Sequence, residues 1–323
     1  MAEGGLASKQ GDGSAAGLGA DVGGSFIKFA AVHPDGACGT PRLVPTPVRD
    51  WPQFCATMSM LCRNHAPDVP LCLSIAGVVD PDTHVAFSAN LPCISGRRLA
   101  AELGTHLGRP VRVANDADCT VLAEALRGVG VGHRVVFGIV LGSGVGGGLV
   151  VDGAIVRGVG GITGEWGHGP ILGTVQVGDA TVPPQPCGCG QMGCLDTLGG
   201  AHGLERLHRF AHGVALSSRT ICGRWRDDDP PATRTVEAWL ALVAGPLAVM
   251  VNATGAGIVP VAGGLGNDVR LIAALDHAVR SRVLRRGSTP VVVPSRFGDV
   301  AGLVGAALLT LGDRHEGSVP RAG

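Results

Sequence analysis

Apolar residues gather along this chain in two kinds of run. Short stretches, many rich in β-branched residues, read as strands: "FIKFAAV" (26–32), "VPLCLSIAGVV" (69–79), "VVFGIVL" (135–141), "GIVPVAGG" (257–264) and "PVVVP" (290–294). Between them, "ADCTVLAEALRGV" (117–129) and "DVRLIAALDHAVRSRVL" (268–284) carry apolar residues at helical spacing. "DVAGLVGAALLTLG" (299–312) is a further helix, built of small residues. Strands mixed with helices predict an α/β protein.

Two longer runs carry no charge. Residues 135–151 are punctuated by glycine and read as a strand pair. Residues 238–266 contain Pro246, Asn252, Thr254 and Pro260, which break the run into a buried helix, a turn and a core strand. Neither predicts a membrane span.

"LGSGVGGGLVVDGAIV" (141–156) contains the G-x-G-x-x-G spacing of a dinucleotide fold at Gly142, Gly144 and Gly147. That fingerprint needs a helix directly after its glycines, because the pyrophosphate rests on the helix N-terminus. Here a strand, an Asp-Gly turn and more β-branched residues follow, so a dehydrogenase is disfavoured. Aligning Val22-Gly23-Gly24-Ser25 with Val145-Gly146-Gly147-Gly148 leaves an apolar strand after each, a weak internal duplication. Glycine turns between strands can present N–H groups to phosphate, since no Cβ obstructs the approach. The first turn adds Asp21, Ser25 and Lys28, and a carboxylate there suits magnesium. Two ordinary hairpin turns are the bland alternative.

Composition narrows the function. Apolar residues make up 45% of 323, so a substantial core can form; aromatics are only 3%, so it must be aliphatic. Basic and acidic residues balance at 26 each, which lacks the broad field of a nucleic-acid or anionic-membrane binder. The start reads as a flexible tail over residues 1–18 with no secretory h-region. The ten cysteines therefore suggest a reducing cytoplasm rather than a disulfide framework.

The order D-x-G-G-S-x-I-K from Asp21, A-N-D-A from Ala114, G-S-G-V-G-G-G from Gly142, G-E-W-G-H from Gly164 and C-x-C-G-x-x-G-C from Cys187 resembles the ROK family. The likeness runs from about Gly19 to Leu311. It implies an actin/hexokinase-like (ribonuclease H-like) ATPase fold with two lobes around a central cleft. It places a small lobe at 19–118 plus 301–317 and a large lobe at 119–300. Members are sugar kinases and sugar-responsive repressors. The blocks "VANDADCTVLAEAL" and "GVGGGLVVDGAIVRGVGGITGEWGH" look closest to bacterial N-acetylglucosamine kinases, with glucokinase and N-acetylmannosamine kinase as alternatives.

Asn115 and Asp116 open a helix, and capping alone would explain them. The resemblance makes Asp116 the catalytic base toward the primary hydroxyl of the sugar, with Asn115 orienting hydroxyls. Glu165 reads alone as a surface ion pair and His168 as a turn residue. The resemblance instead puts both on the sugar, together with Asp196, where many relatives carry Glu, and with Gly77 and Asn90. It assigns ATP to Asp21, Gly23, Gly24, Ser25, Lys28, Gly142, Ser143, Gly144 and Val145, with Gly263 and Gly264 near the adenosine. His168, Cys187, Cys189 and Cys194 would hold a structural zinc ion, three thiolates and one imidazole meeting its tetrahedral demand. The segment between His168 and Cys187 is expected to be a loop near the sugar. The implied partners are ATP with magnesium and a sugar, with no nucleic acid and no membrane, in a homodimer. A repressor is disfavoured, because the stretch before Asp21 has no helical period.

Overall fold

The computed structural model describes residues 15–33 and 37–311. The chain opens with β1 (Gly17–Val22), β2 (Phe26–Val32) and β3 (Arg42–Pro45), followed by α1 (Trp51–Cys62). Then come β4 (Leu71–Ile75), a small hairpin of β5 (Val78–Val79) and β6 (Ala86–Phe87), α2 (Leu99–Leu107), β7 (Val111–Asn115) and α3 (Asp116–Arg127). The second half repeats the opening with β8 (Val135–Leu141), β9 (Val145–Val151) and β10 (Ala154–Ile155). A hairpin of β11 (Val175–Val177) and β12 (Ala180–Val182) precedes four helices: α4 (Asp196–Gly199), α5 (Ala201–His212), α6 (Ser218–Arg226) and α7 (Pro230–Thr254). The chain then forms β13 (Val259–Ala262), α8 (Val269–Arg280), β14 (Val292–Pro294) and α9 (Ala301–Leu311).

The duplication read from two glycine turns extends to whole sheets. One sheet has the order β3-β2-β1-β4-β7 and the other β10-β9-β8-β13-β14. In each, the first two pairings are antiparallel and the last two parallel. The β9–β10 turn places both Asp152 (φ 51°) and Gly153 (φ 78°) in the left-handed region, as a tight hairpin needs. One aliphatic core forms under the first sheet around Leu18, Phe29, Leu73 and Ile75. A second surrounds Phe137, Ile139, Trp239 and Val261. Helix α3 lies between them, packed on β8, β9 and α9.

Three expectations change. The tail does not reach residue 18, because Gly17 and Leu18 already pair with β2 and Leu18 is fully buried; residues 1–14 lie outside the described residues, as do 312–317 of the expected small lobe. The buried helix, turn and core strand expected over 238–266 are present, but Pro246 does not break α7, which runs on to the left-handed Gly255 cap. A proline inside a helix costs ~3 kcal/mol, and burying Val243, Leu247 and Val251 around it contributes about 1.5–3 kcal/mol each. This helix is long and apolar enough to cross a membrane by length and composition, but Val236, Trp239, Val243 and Leu247 are fully buried in the second core. The segment after His168 is not a plain loop: β11 and β12 pair with Val177 and Val182 buried against α5 and α7, because V-Q-V and A-T-V alternate across Gly178.

Candidate active site

Strand β7 delivers Asn115 to the end of the first sheet, and α3 begins one residue later. The Asn115 side chain does two things at once. Its Oδ1 accepts from the Ala117 and Asp118 amides at 2.8 and 3.1 Å, capping the helix, while Nδ2 donates to the Gly77 carbonyl at 2.9 Å. Gly77 is required where it stands, since a Cβ there would lie 2.3 Å from the Phe87 carbonyl oxygen. Asp116 is the first residue of α3 and its Oδ1 accepts from the Ala117 amide at 2.9 Å. Burial, and next the negative charge of Asp21, push its carboxyl up to about 6, with Glu165 adding to the rise and backbone donors opposing it. Asp116 is thus ionised at neutral pH yet basic enough to take a proton.

Asp21 is held at the end of β1 by Ser74 Oγ, which donates to Oδ1 at 3.0 Å, and by Lys28 Nζ at 3.5 Å from Oδ2. Lys28 also donates to the Asp299 carbonyl at 2.6 Å, so the cation bridges the glycine hairpin and the segment leading into α9. Gly23 to Ser25 form the turn, closed by the Gly23 amide on the Phe26 carbonyl at 3.0 Å. Asn90 is exposed beside that turn, its Cβ 3.9 Å from where a Gly24 Cβ would stand.

Glu165 and His168 share one turn, with the His168 amide donating to the Glu165 carbonyl at 3.1 Å. Trp166 between them is buried and donates Nε1 to the Gly146 carbonyl at 2.9 Å. Gly147 makes room for that indole, since a Cβ there would lie 2.9 Å from Trp166 Cδ1. The two ring nitrogens of His168 face opposite ways. Nε2 lies 3.7 Å from Glu165 Oε2, and Nδ1 lies 3.6 Å from Cys187 Sγ.

On that second side, His168, Cys187, Cys189 and Cys194 bring one ligand atom each within 4.8 Å of one another. Cys189 and Cys194 have their sulfurs 3.5 Å apart. A tetrahedron with zinc–sulfur bonds of ~2.3 Å has edges of roughly 3.8 Å, so the spacing and the donor set both fit zinc. Four protein ligands leave no open position, which makes such a site structural rather than catalytic.

The second glycine turn, Gly142 to Val145, is packed against the start of α5. Ala201 and His202 donate their amides to the Gly142 and Ser143 carbonyls at 2.8 and 3.3 Å. Gly200 permits this approach, since a Cβ there would lie 2.6 Å from the Gly144 Cα. Gly263 touches the same turn from β13: its φ is 86°, and a Cβ would stand 2.6 Å from the Leu141 carbonyl carbon. Past Gly264 opens a cavity of about 690 Å³, lined by Ser218, Arg219 and Arg226 of α6 and by Asp268 and Arg270 at the start of α8. Arg226 pairs with Asp268, and Arg270 lies over the Trp225 ring at 5.8 Å. The volume suits a small ligand such as a nucleoside. Only the glycine rim of this cavity is legible in the sequence.

Two acids make contacts that the sequence does not declare. Asp196, read as a sugar ligand, opens α4 with Oδ1 accepting from the Val145 amide at 2.7 Å, so the Val145 N–H is not free to meet a phosphate. Asp118, not singled out from sequence, is buried with no hydrogen-bond partner on Oδ1, and burial pushes it up to about 7. Its place in "ANDADC" was visible, but the residue it packs against, Gly148, lies on a different element.

A family model described as the ROK family matches residues 17–313. An N-acetyl-D-glucosamine kinase of Pectobacterium atrosepticum is 32% identical over 91% of this chain and 99% of its own. An N-acetylgalactosamine kinase, AgaK, of Shewanella sp. is 32% identical over 90% of this chain and 95% of its own. A ROK glucokinase from Streptomyces griseus, solved with glucose and AMPPNP, superposes with a TM-score of 0.73 at 25% identity, over 91% of this chain and 98% of its own.

Proposed function

The chain belongs to the ROK family, with its actin/hexokinase-like α/β fold, and on that premise we propose that it is an ATP-dependent sugar kinase. Its reaction is phosphorylation of the 6-hydroxyl of an N-acetylhexosamine, N-acetyl-D-glucosamine before others. The observation that carries the reading is Asp116, rigid at the mouth of α3 and pushed up to about 6, in a chain 32% identical to an N-acetyl-D-glucosamine kinase.

In this reading the C6 oxygen attacks the γ-phosphorus, its proton passes to an Asp116 carboxylate oxygen, and the bond to the ADP oxygen breaks. Phosphoryl transfer needs placement and charge neutralisation more than covalent help. Asn115, Glu165 and His168 Nε2 orient the sugar hydroxyls, with Gly77 and Asn90 on the side of the first sheet. The two glycine turns hold the phosphates, with Lys28 and Ser25 at the first and Gly142, Ser143 and Gly144 at the second. The cavity beyond Gly263 and Gly264 takes the nucleoside. Magnesium would be held by Asp21 and supplies charge neutralisation on the phosphates. Zinc on His168 and the three cysteines would fix the His168 ring, and with it one wall of the sugar site. The two sheets with their helices act as lobes closing over this cleft and excluding water. A homodimer belongs to the proposal and is tested by mass in solution from light scattering.

The test is ADP release coupled to a dye, over N-acetylglucosamine, N-acetylgalactosamine, N-acetylmannosamine and glucose. The expected result is the highest kcat/KM with N-acetylglucosamine. A preference for N-acetylgalactosamine would move the assignment to the AgaK type, and glucose far ahead of all three would overturn it.

A further inference from the structure

The residues between β10 and Glu165 form a compact loop fixed at several points. The Gly158 amide donates to Thr163 Oγ1 at 2.7 Å, Gly161 donates to the Gly158 carbonyl at 3.1 Å, and Ile162 to that of Val159 at 3.3 Å. Gly160, Gly161 and Gly164 take φ values of 66°, 76° and 75°, which other residues rarely adopt. The loop also touches the strands on either side. A Cβ on Gly161 would lie 2.4 Å from the Val79 carbonyl oxygen, and one on Gly164 would lie 2.5 Å from that of Gly147. So the loop spans from the β5–β6 hairpin, which carries Gly77 at its base, to the sheet that carries the second glycine turn.

This ordered loop holds two branched aliphatic side chains out to solvent. Val159 is 96% exposed and Ile162 53%. Single exposed aliphatics are ordinary on a protein surface, but two held out by one hydrogen-bonded loop beside the candidate site offer apolar area that a ligand can cover. Ile162 is three residues from Glu165, a span of at most about 11 Å along the chain. It stands on the loop that leads directly into the carboxylate that the proposed reaction assigns to hydroxyl binding, and its neighbour Gly161 packs on the hairpin that follows Gly77. A hexose held by Asn115, Glu165 and His168 meets polar groups with its hydroxyls. An N-acetylhexosamine brings one apolar appendage besides.

Resting on the reading of the chain as an N-acetylhexosamine kinase, we propose that Ile162 and Val159 are its specificity residues, taking the methyl of the substrate's 2-acetamido group. They do not touch the transferring phosphoryl group, and their part is to distinguish the acetylated sugar from glucose.

The experiment compares Ile162→Ser, Val159→Ser and the double variant with the wild-type chain, measuring kcat/KM for N-acetylglucosamine and for glucose and KM for ATP. One methyl against an apolar wall is worth about 10-fold or more in discrimination. The expected result for the double variant is a fall of about 10-fold in kcat/KM for N-acetylglucosamine. Glucose turnover and KM for ATP should stay within about twofold. Ile162→Val, which keeps the apolar contact, should retain the wild-type selectivity. An unchanged ratio between the two sugars would overturn the proposal, as would a parallel fall with both. If the wild-type chain turns over neither N-acetylglucosamine nor its epimers, the reading of the reaction fails first and takes this inference with it.

Discussion

Asp196 Oδ1 sits 2.7 Å from the Val145 amide and fills the space a side chain on Gly144 would need. One carboxylate thereby ties the end of the cysteine motif to the second glycine turn. A Cβ on Gly144 would stand 2.1 Å from Oδ1, closer than any real contact, so Gly144→Ala must push the acid away from the amide. A hydrogen bond to an ionised group is worth about 1.5–3 kcal/mol, and without it the turn loses its fixed shape. The expected result is at least about a 10-fold loss of kcat/KM for ATP. Asp196→Ala removes the obstacle, so the double variant should be no worse than the worse single one, a non-additive cycle read from steady-state kinetics. Additive losses would show that the two residues act separately.

Asp116 makes the sharpest kinetic prediction. Asp116→Asn keeps the shape and loses the base, so kcat should fall by about 10²–10⁴-fold while sugar affinity by calorimetry changes little. In the proposed reaction the carboxyl works ionised, and its value is raised to about 6. Log kcat/KM should therefore fall as pH drops through about 6 rather than through the ordinary carboxylate range. Asp21 is the largest charge behind that rise. Asp21→Asn should move the acid limb to lower pH, whatever it does to the rate itself.

Asp118 makes a prediction about stability instead. Its folded value is raised from 3.8 to about 7, chiefly by burial. Between these values the folded chain binds more protons than the unfolded one, so stability declines as pH rises through that window. The loss is complete above about 7. Asp118→Asn cannot ionise and should escape the penalty, which is on the order of 4 kcal/mol. Thermal melts should show the variant several degrees more stable at pH 8 and near wild type at pH 4. An equal shift at both pH values would mean that packing, not charge, explains it.

What could be read from the chain was what lies close together along it. The two glycine turns, the Asn115 cap, the D-G hairpin and the cysteine run each declare themselves within a few residues, because turn and cap chemistry is local. The cavity past Gly264 does not, since Arg219 and Arg270 stand on helices about fifty residues apart and share no spacing rule. Asp118 does not declare itself either, because its burial comes from Gly148 of β9, a distant element packed over it. The β11–β12 hairpin hid among glycines and prolines, where its two-residue alternation spans only three positions per strand. Pro246 misled because propensity is outweighed by burial in the second core. The strand at Gly17 was masked by its glycines and is set by its pairing with β2 and β4 rather than by its own residues.

The cluster of His168 and three cysteines separates structural from catalytic effects most cleanly. His168 turns Nδ1 toward Cys187 and Nε2 toward Glu165, so whatever fixes the first nitrogen also aims the second. Elemental analysis should find about one zinc per chain. Cys189 is the exposed member of the cluster, so Cys189→Ser should weaken the proposed zinc site without disturbing the core. That variant, or the wild-type chain stripped with a chelator, should bind sugar at least about 10-fold more weakly. ATP affinity should fall less, because Gly142, Ser143 and the α5 start are joined by backbone bonds that do not involve the cysteines, and only the Asp196 bond to Val145 links the turn to them. Zinc added back to the stripped wild-type chain should restore sugar affinity. If ATP and sugar affinities fell together, the cluster would be holding the fold as a whole rather than one wall of the site.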